Sequence, residues 1–265
     1  MKTKKALIIL LALVLIASLF TSCSKSGTTL ASVQKKGKLS IATSPDFPPF
    51  ESLTDSTTVE GIEIDILQLI CNKLGVELEI NQMDFDSVLP GVQAGKFDVG
   101  VSGITITEQR KKNVLFTDPY CLAAQAIVVT EDSPIKSKAD LEGKKVSVQT
   151  GTTAESYTME NGYSVSSFSA NSDAEAALTS GKVDAWVIDD LTAAEMVKVY
   201  NETASVKLVI LDEAMTTEPY AFAFSLGSDD LVKEVNVILN ELIADGTVKA
   251  IFEKYDAPYT SPETN

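Results

Sequence analysis

The chain has 265 residues, and its 37 acidic and 22 basic side chains give a formal net charge of −15 at pH 7. A surface this acidic repels phosphate backbones, so we expect no nucleic-acid partner. The sequence contains no histidine, which excludes His-dependent catalytic pairs and His-ligated metal sites, and we expect neither a metal nor a cofactor.

The N-terminus has the pattern of an export signal over residues 1–22. A short lysine-rich stretch precedes an apolar run over residues 6–17. About a dozen apolar residues suit a signal peptide, whereas a membrane-spanning helix needs roughly 20. Small residues precede Cys23 as in a bacterial lipobox, in which the cysteine is acylated, although Phe20 stands where leucine is usual. We therefore predict lipid attachment at Cys23 and a flexible tether over residues 23–32; an ordinary cleaved signal with an incidental cysteine is the alternative.

Two short sequence patterns occur twice, in the same order. Residues 37–44 and 143–150 each begin with Gly-Lys, continue as a β-type run and end in hydroxyl residues. Residues 95–99 and 181–185 share the pattern Gly-Lys-x-Asp, each after a helical stretch and before a strand-like run. Gly-Lys turns are common, so coincidence is one interpretation, but the shared order favours a duplicated α/β lobe.

Helix and strand patterns alternate along the chain. Apolar residues recur at helical spacing over residues 62–74, Gly75 follows as a typical helix end, and residues 76–80 alternate like a strand. This alternation predicts parallel sheets with helices on both faces, in which ligands bind where the strands end. The repeated patterns place these strand ends at residues 101–105 and 187–190.

The chain is predicted to cross between two lobes twice, near residues 119–122 and 217–221. A helical segment over residues 228–255 then packs on the first lobe or behind the hinge. The expected boundaries are residues 33–120 plus 221–257 for lobe 1, 125–216 for lobe 2, and 258–265 for a flexible C-terminal tail.

Arg110 and Asp189 are a candidate pair of binding charges. Arg110 follows Thr107, a predicted helix N-cap, so its guanidinium could grip a carboxylate near Thr105 through two hydrogen bonds. A surface arginine paired with an acid is the alternative. Asp189 ends an apolar strand, where a buried acid needs a partner such as an ammonium group; capping of the next helix, by Asp189 or Asp190, is the alternative. Facing each other, the pair would match the two charges of a free amino acid.

Aromatic rings in two loops could contact a ligand side chain. Phe47 lies in a proline-rich loop and Phe85 follows Met83-Asp84. A place in the core of the lobe is the alternative, which Phe85 could equally have and which we expect of Phe50. Cys71 is predicted to be a small buried residue on a helix face, with a bridge to Cys121 left open.

Six motifs in order resemble the polar amino-acid group of solute-binding proteins that feed ABC importers, the extracellular solute-binding protein family 3. They are residues 44–51 (SPDFPPFE), 61–65 (GIEID), 83–86 (MDFD), 103–110 (GITITEQR), 117–120 (TDPY) and 149–153 (QTGTT). The likeness covers residues 33–256. It implies a type II periplasmic-binding-protein-like fold, in which two lobes joined by a two-stranded hinge close on one ligand and dock on a permease.

The resemblance also implies roles for individual residues. Arg110 would hold the α-carboxylate of an amino acid and Asp189 its α-ammonium group. The other implied or candidate binding residues are Thr105, Gly103 and Thr153 for the carboxylate, Phe47 and Phe85 beside the side chain, and Ser102, Ser44 and Gln149. Ser44 replaces an acid that many relatives carry, which disfavours a strongly cationic ligand unless Asp46 or Asp86 compensates.

The sequence therefore predicts an extracytoplasmic lipoprotein, anchored to a bacterial membrane, that captures a free polar L-amino acid by hinge closure. We expect it to act as a monomer, to deliver the amino acid to a membrane ABC permease, and not to be an enzyme. A cyclic-acid dehydratase of related fold and a nutrient-sensing lipoprotein are the alternatives.

Overall fold

The computed structural model describes residues 27–262, which form two α/β lobes. The predicted signal sequence and Cys23 lie outside the described residues. The strands in chain order are β1 (Lys38–Thr43), β2 (Asp46–Phe47), β3 (Glu51–Leu53), β4 (Val59–Glu60), β5 (Glu77–Gln82), β6 (Val99–Gly100), β7 (Val114–Phe116), β8 (Cys121–Ala123), β9 (Gln125–Thr130), β10 (Lys145–Gln149), β11 (Ser164–Phe168), β12 (Ala185–Asp189), β13 (Leu208–Ile210), β14 (Glu218–Tyr220) and β15 (Ala223–Ser225). The α-helices are α1 (Leu30–Lys36), α2 (Ile62–Leu74), α3 (Phe85–Gln93), α4 (Thr153–Glu160), α5 (Asn171–Thr179), α6 (Asp190–Thr203), α7 (Asp229–Ala244) and α8 (Thr247–Lys254).

Each lobe is built around a five-stranded sheet of the same design. The first lobe contains the sheet β5-β1-β6-β15-β7, and the second lobe contains the sheet β11-β10-β12-β9-β13. In each order the first three strands are parallel, and the fourth is antiparallel to both of its neighbours. The predicted two-lobed α/β fold is confirmed, but the prediction of wholly parallel sheets is wrong.

The reversed strands, β9 and β15, are the ones that the chain enters from the hinge. They follow β8 and β14, which pair with each other as a two-stranded antiparallel ribbon. Each reversed strand begins beside the end of a parallel strand, Gln125 opposite Asp189 and Ala223 opposite Gly100. Because the hinge lies at the edge where the parallel strands end, a strand that starts there must run the opposite way. Both predicted crossings therefore have a structural counterpart.

Helices cover both faces of each sheet. In the first lobe α3 packs on one face, where Val88 and Val92 are buried, and α2, α7 and α8 lie on the other. In the second lobe α4 packs on one face and α5 and α6 on the other. Helix α2 has the predicted apolar spacing and ends at Gly75, whose φ of 71° is left-handed. Between residues 27 and 262, no helix is long and apolar enough to cross a membrane.

The repeated Gly-Lys-x-Asp pattern has the same structural role in both lobes. The carboxylate of Asp98 accepts a hydrogen bond from the Ser40 amide at 2.7 Å, and the Asp98 amide donates to the Ser40 carbonyl at 2.8 Å. Asp184 does the same with Lys145, at 2.8 Å and 2.7 Å. Each aspartate thus fixes the start of its strand, β6 or β12, beside β1 or β10. The ends of β6 and β12 are therefore equivalent positions, as the duplicated pattern predicts.

Two segments predicted to be flexible are partly ordered. Residues 30–32, expected in the tether, form the first turn of α1, which the side chain of Thr29 caps. In the expected C-terminal tail, the carbonyl of Thr260 accepts a hydrogen bond from the amide of Leu122 in the hinge at 3.0 Å. These contacts join segments that are far apart in the sequence, since the amide of Leu30 also donates to the carboxylate of Asp230 at 3.1 Å.

The cysteines of the described part of the chain form no bridge. Cys71 and Cys121 are both free and buried, so the Cys71–Cys121 disulfide that the sequence left open is not formed. Cys71 lies on the buried face of α2, as its spacing predicts, and burial raises the pKa of its thiol to about 12.

Candidate ligand-binding cleft

A narrow cavity lies between the lobes, where the parallel strands end. Its walls are formed by Phe47, Phe85, Ser102, Gly103, Thr105 and Arg110 of the first lobe and by Gln149, Thr152, Thr153 and Asp189 of the second. The cavity has a free volume of about 10 Å³, which is room for about one water molecule. The lobes are therefore closed on each other, and a larger ligand can enter only if they move apart.

Arg110 reaches across the cleft from the first lobe. Its amide donates to Thr107 Oγ1 at 3.1 Å. The helix start that the sequence predicts here is a single 3-10 turn, Arg110–Lys112. A turn of three residues is too short to add the positive electrostatic potential of a helix N-terminus to the cleft. Nη1 of its guanidinium donates to the carbonyl of Thr105 at 3.0 Å, and Nη2 donates to the carbonyl of Gly151, in the second lobe, at 3.1 Å.

The guanidinium of Arg110 has no ion-pair partner among the described residues. Burial lowers its pKa, and the negative charges of Glu218 and Asp189 oppose that shift. Arginine stays charged in proteins, so the cleft contains a cation whose remaining N–H groups are free for a ligand carboxylate. The alternative of a surface arginine paired with an acid is not what the structure shows.

Asp189 is the acidic counterpart in the second lobe. It ends β12 and is 7% exposed. Gln125 donates to its carboxyl group at 2.9 Å and to Thr153 Oγ1 at 3.1 Å. Burial and, next, the charge of Glu218 raise the pKa of Asp189 to about 8. The carboxyl of Asp190, by contrast, accepts the amide of the next helical residue, so Asp190 supports the helix start and Asp189 is left for the cleft.

The wall around Gly103 is tightly built. Gly103 has a φ of 53°, and a Cβ placed there would overlap the ring of Phe47. Its amide donates to the carboxylate of Glu63 at 2.9 Å. Glycine is therefore required for Phe47 to reach the cavity, and the Gly103 amide faces the protein and not a ligand.

A second contact between the lobes lies beside the cavity, at Asp46. Its carboxylate accepts hydrogen bonds from the amide of Asn171 at 2.8 Å and from the side chain of Gln149 at 3.0 Å, both in the second lobe. Ser44 Oγ donates to the same carboxylate at 2.9 Å. We refer to Asp46, Gln149 and Asn171 as the Asp46 latch. Ser44, a predicted site residue, thus lies behind this latch and does not line the cavity.

A larger cavity, of about 540 Å³, adjoins the narrow one. Phe85, Arg110 and Thr153 line both cavities, and Asp86 and Glu218 also line the larger one. Moving the lobes apart would join the two spaces at Arg110. Neither candidate compensating acid lines the narrow cavity, because Asp86 lines the larger space and Asp46 is held in the latch.

Three cleft residues were not predicted from the sequence. Gln125 and Glu218 lie at the two hinge crossings, and Thr152 precedes α4. Gln125 donates a hydrogen bond to Asp189, whose pKa is raised by burial and, next, by the charge of Glu218. Both residues are distant from Asp189 in the sequence. Their place in the sequence could have indicated them, because the chain enters and leaves the second lobe next to the ends of its parallel strands.

Known proteins resemble this chain in both sequence and structure. Residues 39–257 match the family model described as bacterial extracellular solute-binding proteins, family 3. The L-cystine-binding protein TcyJ of Escherichia coli (strain K12) is 30% identical over 256 residues, which are 95% of each chain. A mutant of ArgBP from T. maritima is similar with a TM-score of 0.81 and 37% identity, over 86% of this chain and 99% of that one. The ancestral amino acid-binding protein AncCDT-1, described as a precursor of cyclohexadienyl dehydratase, gives a TM-score of 0.79 and 36% identity, over 86% and 99%.

The Asp46 latch predicts how easily the lobes separate. Asp46→Ala removes a carboxylate that accepts two hydrogen bonds from the second lobe, and each bond to a charged group contributes about 1.5–3 kcal/mol. Small-angle X-ray scattering should therefore give a larger radius of gyration for this variant than for the wild type. Asp55→Ala, which changes an exposed turn of the same lobe, is the control and should match the wild type. An Asp46→Ala variant as compact as the wild type would contradict the latch.

Proposed function

The chain belongs to the bacterial extracellular solute-binding proteins of family 3, and we propose that it captures a free polar L-amino acid between its lobes and delivers it to the permease of an ABC importer. One observation carries this proposal. Arg110 and Asp189 face one cavity from different lobes, and neither has an ion-pair partner among residues 27–262. An amino acid supplies the two missing charges in one small molecule.

The proposed mechanism is capture followed by closure. The amino acid enters while the lobes are apart, and its carboxylate binds the free N–H groups of Arg110. Closure then brings Asp189 to the ammonium group and excludes water, which strengthens both charged contacts. The ligand favours the closed state only through contacts that it gains there. The Asp46 latch adds to closure from the protein itself, and the closed shape is what the permease would bind.

A polar amino acid is supported by the relatives and by the cavity wall. TcyJ is named for L-cystine and solved relatives are bound to arginine. Polar groups of Ser102, Thr152 and Gln149 line this cavity beside the rings of Phe47 and Phe85. A thermal-shift screen of the common L-amino acids and L-cystine would identify the ligand, because a tight ligand stabilises the folded state by mass action. Recovery of that ligand unchanged, by mass spectrometry, would separate binding from the dehydratase alternative.

The location of the protein is also part of the proposal. We infer export by residues 1–22 and lipid attachment at Cys23, which would keep a monomeric protein at the outer side of a bacterial membrane, near its permease. The support is the sequence pattern, together with membership of a family of extracellular proteins.

Lipid attachment can be tested in cells fed with a clickable fatty acid. The wild-type chain should incorporate the label, and Cys23→Ala should not, because the thiol of Cys23 is the proposed acceptor. Cys71→Ala is the control and should stay labelled, since Cys71 is buried in the first lobe. Equal labelling of the Cys23→Ala chain would refute the anchor.

Substitution of Arg110 tests the site. Arg110→Ala should weaken binding of the amino acid found in the screen at least about 100-fold, because a charge-assisted contact to its carboxylate is lost. Isothermal titration calorimetry measures the affinity. Lys111→Ala, at the neighbouring exposed cation, should bind like the wild type, and both variants should unfold cooperatively. An Arg110→Ala variant of unchanged affinity would rule out this site.

Asp189 predicts a pH dependence of binding. Its pKa is raised to about 8 in the ligand-free protein, so the carboxyl group keeps its proton below that pH. A ligand ammonium favours the ionised form; binding therefore releases a proton, and affinity should rise with pH up to about 8. Calorimetry in two buffers of different ionisation enthalpy counts the protons. Asp189→Asn should bind weakly and without this dependence, and proton-neutral binding by the wild type would refute the role.

A further inference from the structure

We propose that Glu51 and Glu63 share one proton beneath the cleft, with Glu51 neutral and Glu63 ionised, and that this pair positions Ser102 and Gly103 for ligand binding. The acid pair, as we refer to these two residues, is fully buried. Neither residue lines the cavity. The part that concerns the ligand rests on the proposed function, whereas the shared proton does not.

Glu63 has the hydrogen bonds of an ionised carboxylate. One of its oxygens accepts the amide of Gly103 at 2.9 Å, and the other accepts the hydroxyl of Tyr120 at 2.7 Å. Both oxygens are therefore acceptors, and a proton on either would compete with a donor already in place. The negative charge is held by these two bonds, since no lysine or arginine of the described chain pairs with it.

Glu51 has one carboxyl oxygen that accepts a hydrogen bond and one that has no partner in the described part of the chain, so the second oxygen can carry a proton. Its Oε1 accepts the hydroxyl of Ser102 at 2.6 Å, while its Oε2 has no donor among the described residues. The two carboxyl groups hold consecutive residues, Ser102 and Gly103, and the Glu63 amide donates to the carbonyl of Phe50, next to Glu51, at 3.1 Å, so the pair lies side by side. A proton on Oε2 would donate to Glu63 and would leave every oxygen of the pair with a partner.

The surroundings oppose a second negative charge. Burial and, next, the charge of Glu63 raise the pKa of Glu51 well above its usual value. The other titratable groups that face the pair are Asp46, Tyr120 and Cys121, and none of them is a cation. Two adjacent buried carboxylates would repel each other without compensation, so the pair keeps one proton at neutral pH.

The acid pair connects the ligand cavity with the hinge. Ser102 and Gly103, which it holds, form part of the cavity wall. Tyr120, which it also holds, immediately precedes hinge strand β8, and its amide donates to the carbonyl of Tyr220 in β14 at 2.9 Å. The pair thus fixes the binding loop relative to the axis about which the lobes move. Glu51 and Glu63 are positioning residues in this account and do not touch the ligand.

Two amide substitutions distinguish the two carboxyl groups. A glutamine at position 51 can donate to Glu63 through its nitrogen and accept from Ser102 through its oxygen, so it copies the neutral acid. A glutamine at position 63 would place its NH2 group against either the amide of Gly103 or the hydroxyl of Tyr120, and both of these are donors. We expect Glu51→Gln to retain affinity for whichever of L-arginine, L-glutamine and L-cystine the wild type binds. Glu51→Leu and Glu63→Gln should each lose about tenfold, because a buried group is left unpaired.

The proton itself is tested without a ligand. The infrared band of protonated carboxyl groups at pH 7 should lose intensity in Glu51→Gln and keep it in Glu77→Gln, a change at an exposed acid. Unfolded Glu51 ionises near pH 4.5 while the folded residue keeps its proton. The unfolding free energy of the wild type should therefore fall, relative to Glu51→Gln, as the pH rises from about 5 to 8.

The results separate the two proposals. A weaker infrared band in Glu51→Gln, together with the pH-dependent stability difference, would support the shared proton even if none of the three amino acids bound. Absence of binding would instead count against the proposed function. An unchanged band in Glu51→Gln would overturn the shared proton. Equal damage to affinity by Glu51→Gln and Glu63→Gln would overturn the assignment of the neutral and the ionised group.

Discussion

The structure depends on two ionisable side chains in the cleft, Arg110 and Asp189, that the described chain leaves without ion-pair partners. Arg110 uses two of its donor groups on backbone carbonyls, one from each lobe, and Asp189 is held by a neutral amide. Burial disfavours the charged form of both groups, and a ligand that supplies the opposite charges offsets this cost. If the same two side chains were exposed to solvent on the surface of one lobe, the ligand would gain little from binding them, because surface ion pairs contribute little.

The closed state is stabilised both by contacts with the ligand and by contacts between the two lobes. The Asp46 latch joins the lobes at a point that the ligand does not have to bridge, through groups of Gln149 and Asn171. The closed cavity is almost filled by the protein's own side chains. For a ligand to bind, the lobes must first move apart and break their contacts within the cleft. New contacts then form around the ligand. The acid pair keeps the binding loop in place through this motion, because its partners in the loop and in the hinge belong to the same lobe.

The sequence predicted features that depend on local patterns. Helix α2, the two crossings and the equivalence of the strand ends follow from spacing and repetition, and the motif around Arg110 indicated the family. Reversal of β9 and β15 could not be read from composition, because strand direction depends on where the chain enters a sheet. Ser44 was misplaced for a similar reason: its neighbour Asp46 contacts Asn171, 125 residues away, and only the fold brings these two together.

The path of the chain also sets an order in which the lobes can form. All five strands of the second sheet come from one continuous stretch, residues 125–210, whereas β15 of the first sheet inserts between β6 and β7 after a return from the hinge. Ordering such non-local pairings is slow compared with forming local ones. The second lobe can therefore complete its sheet from its own residues, while the first waits for a strand more than 100 residues downstream of its neighbours. A chain cut short before β15 would keep one folded half and expose the apolar interior of the other.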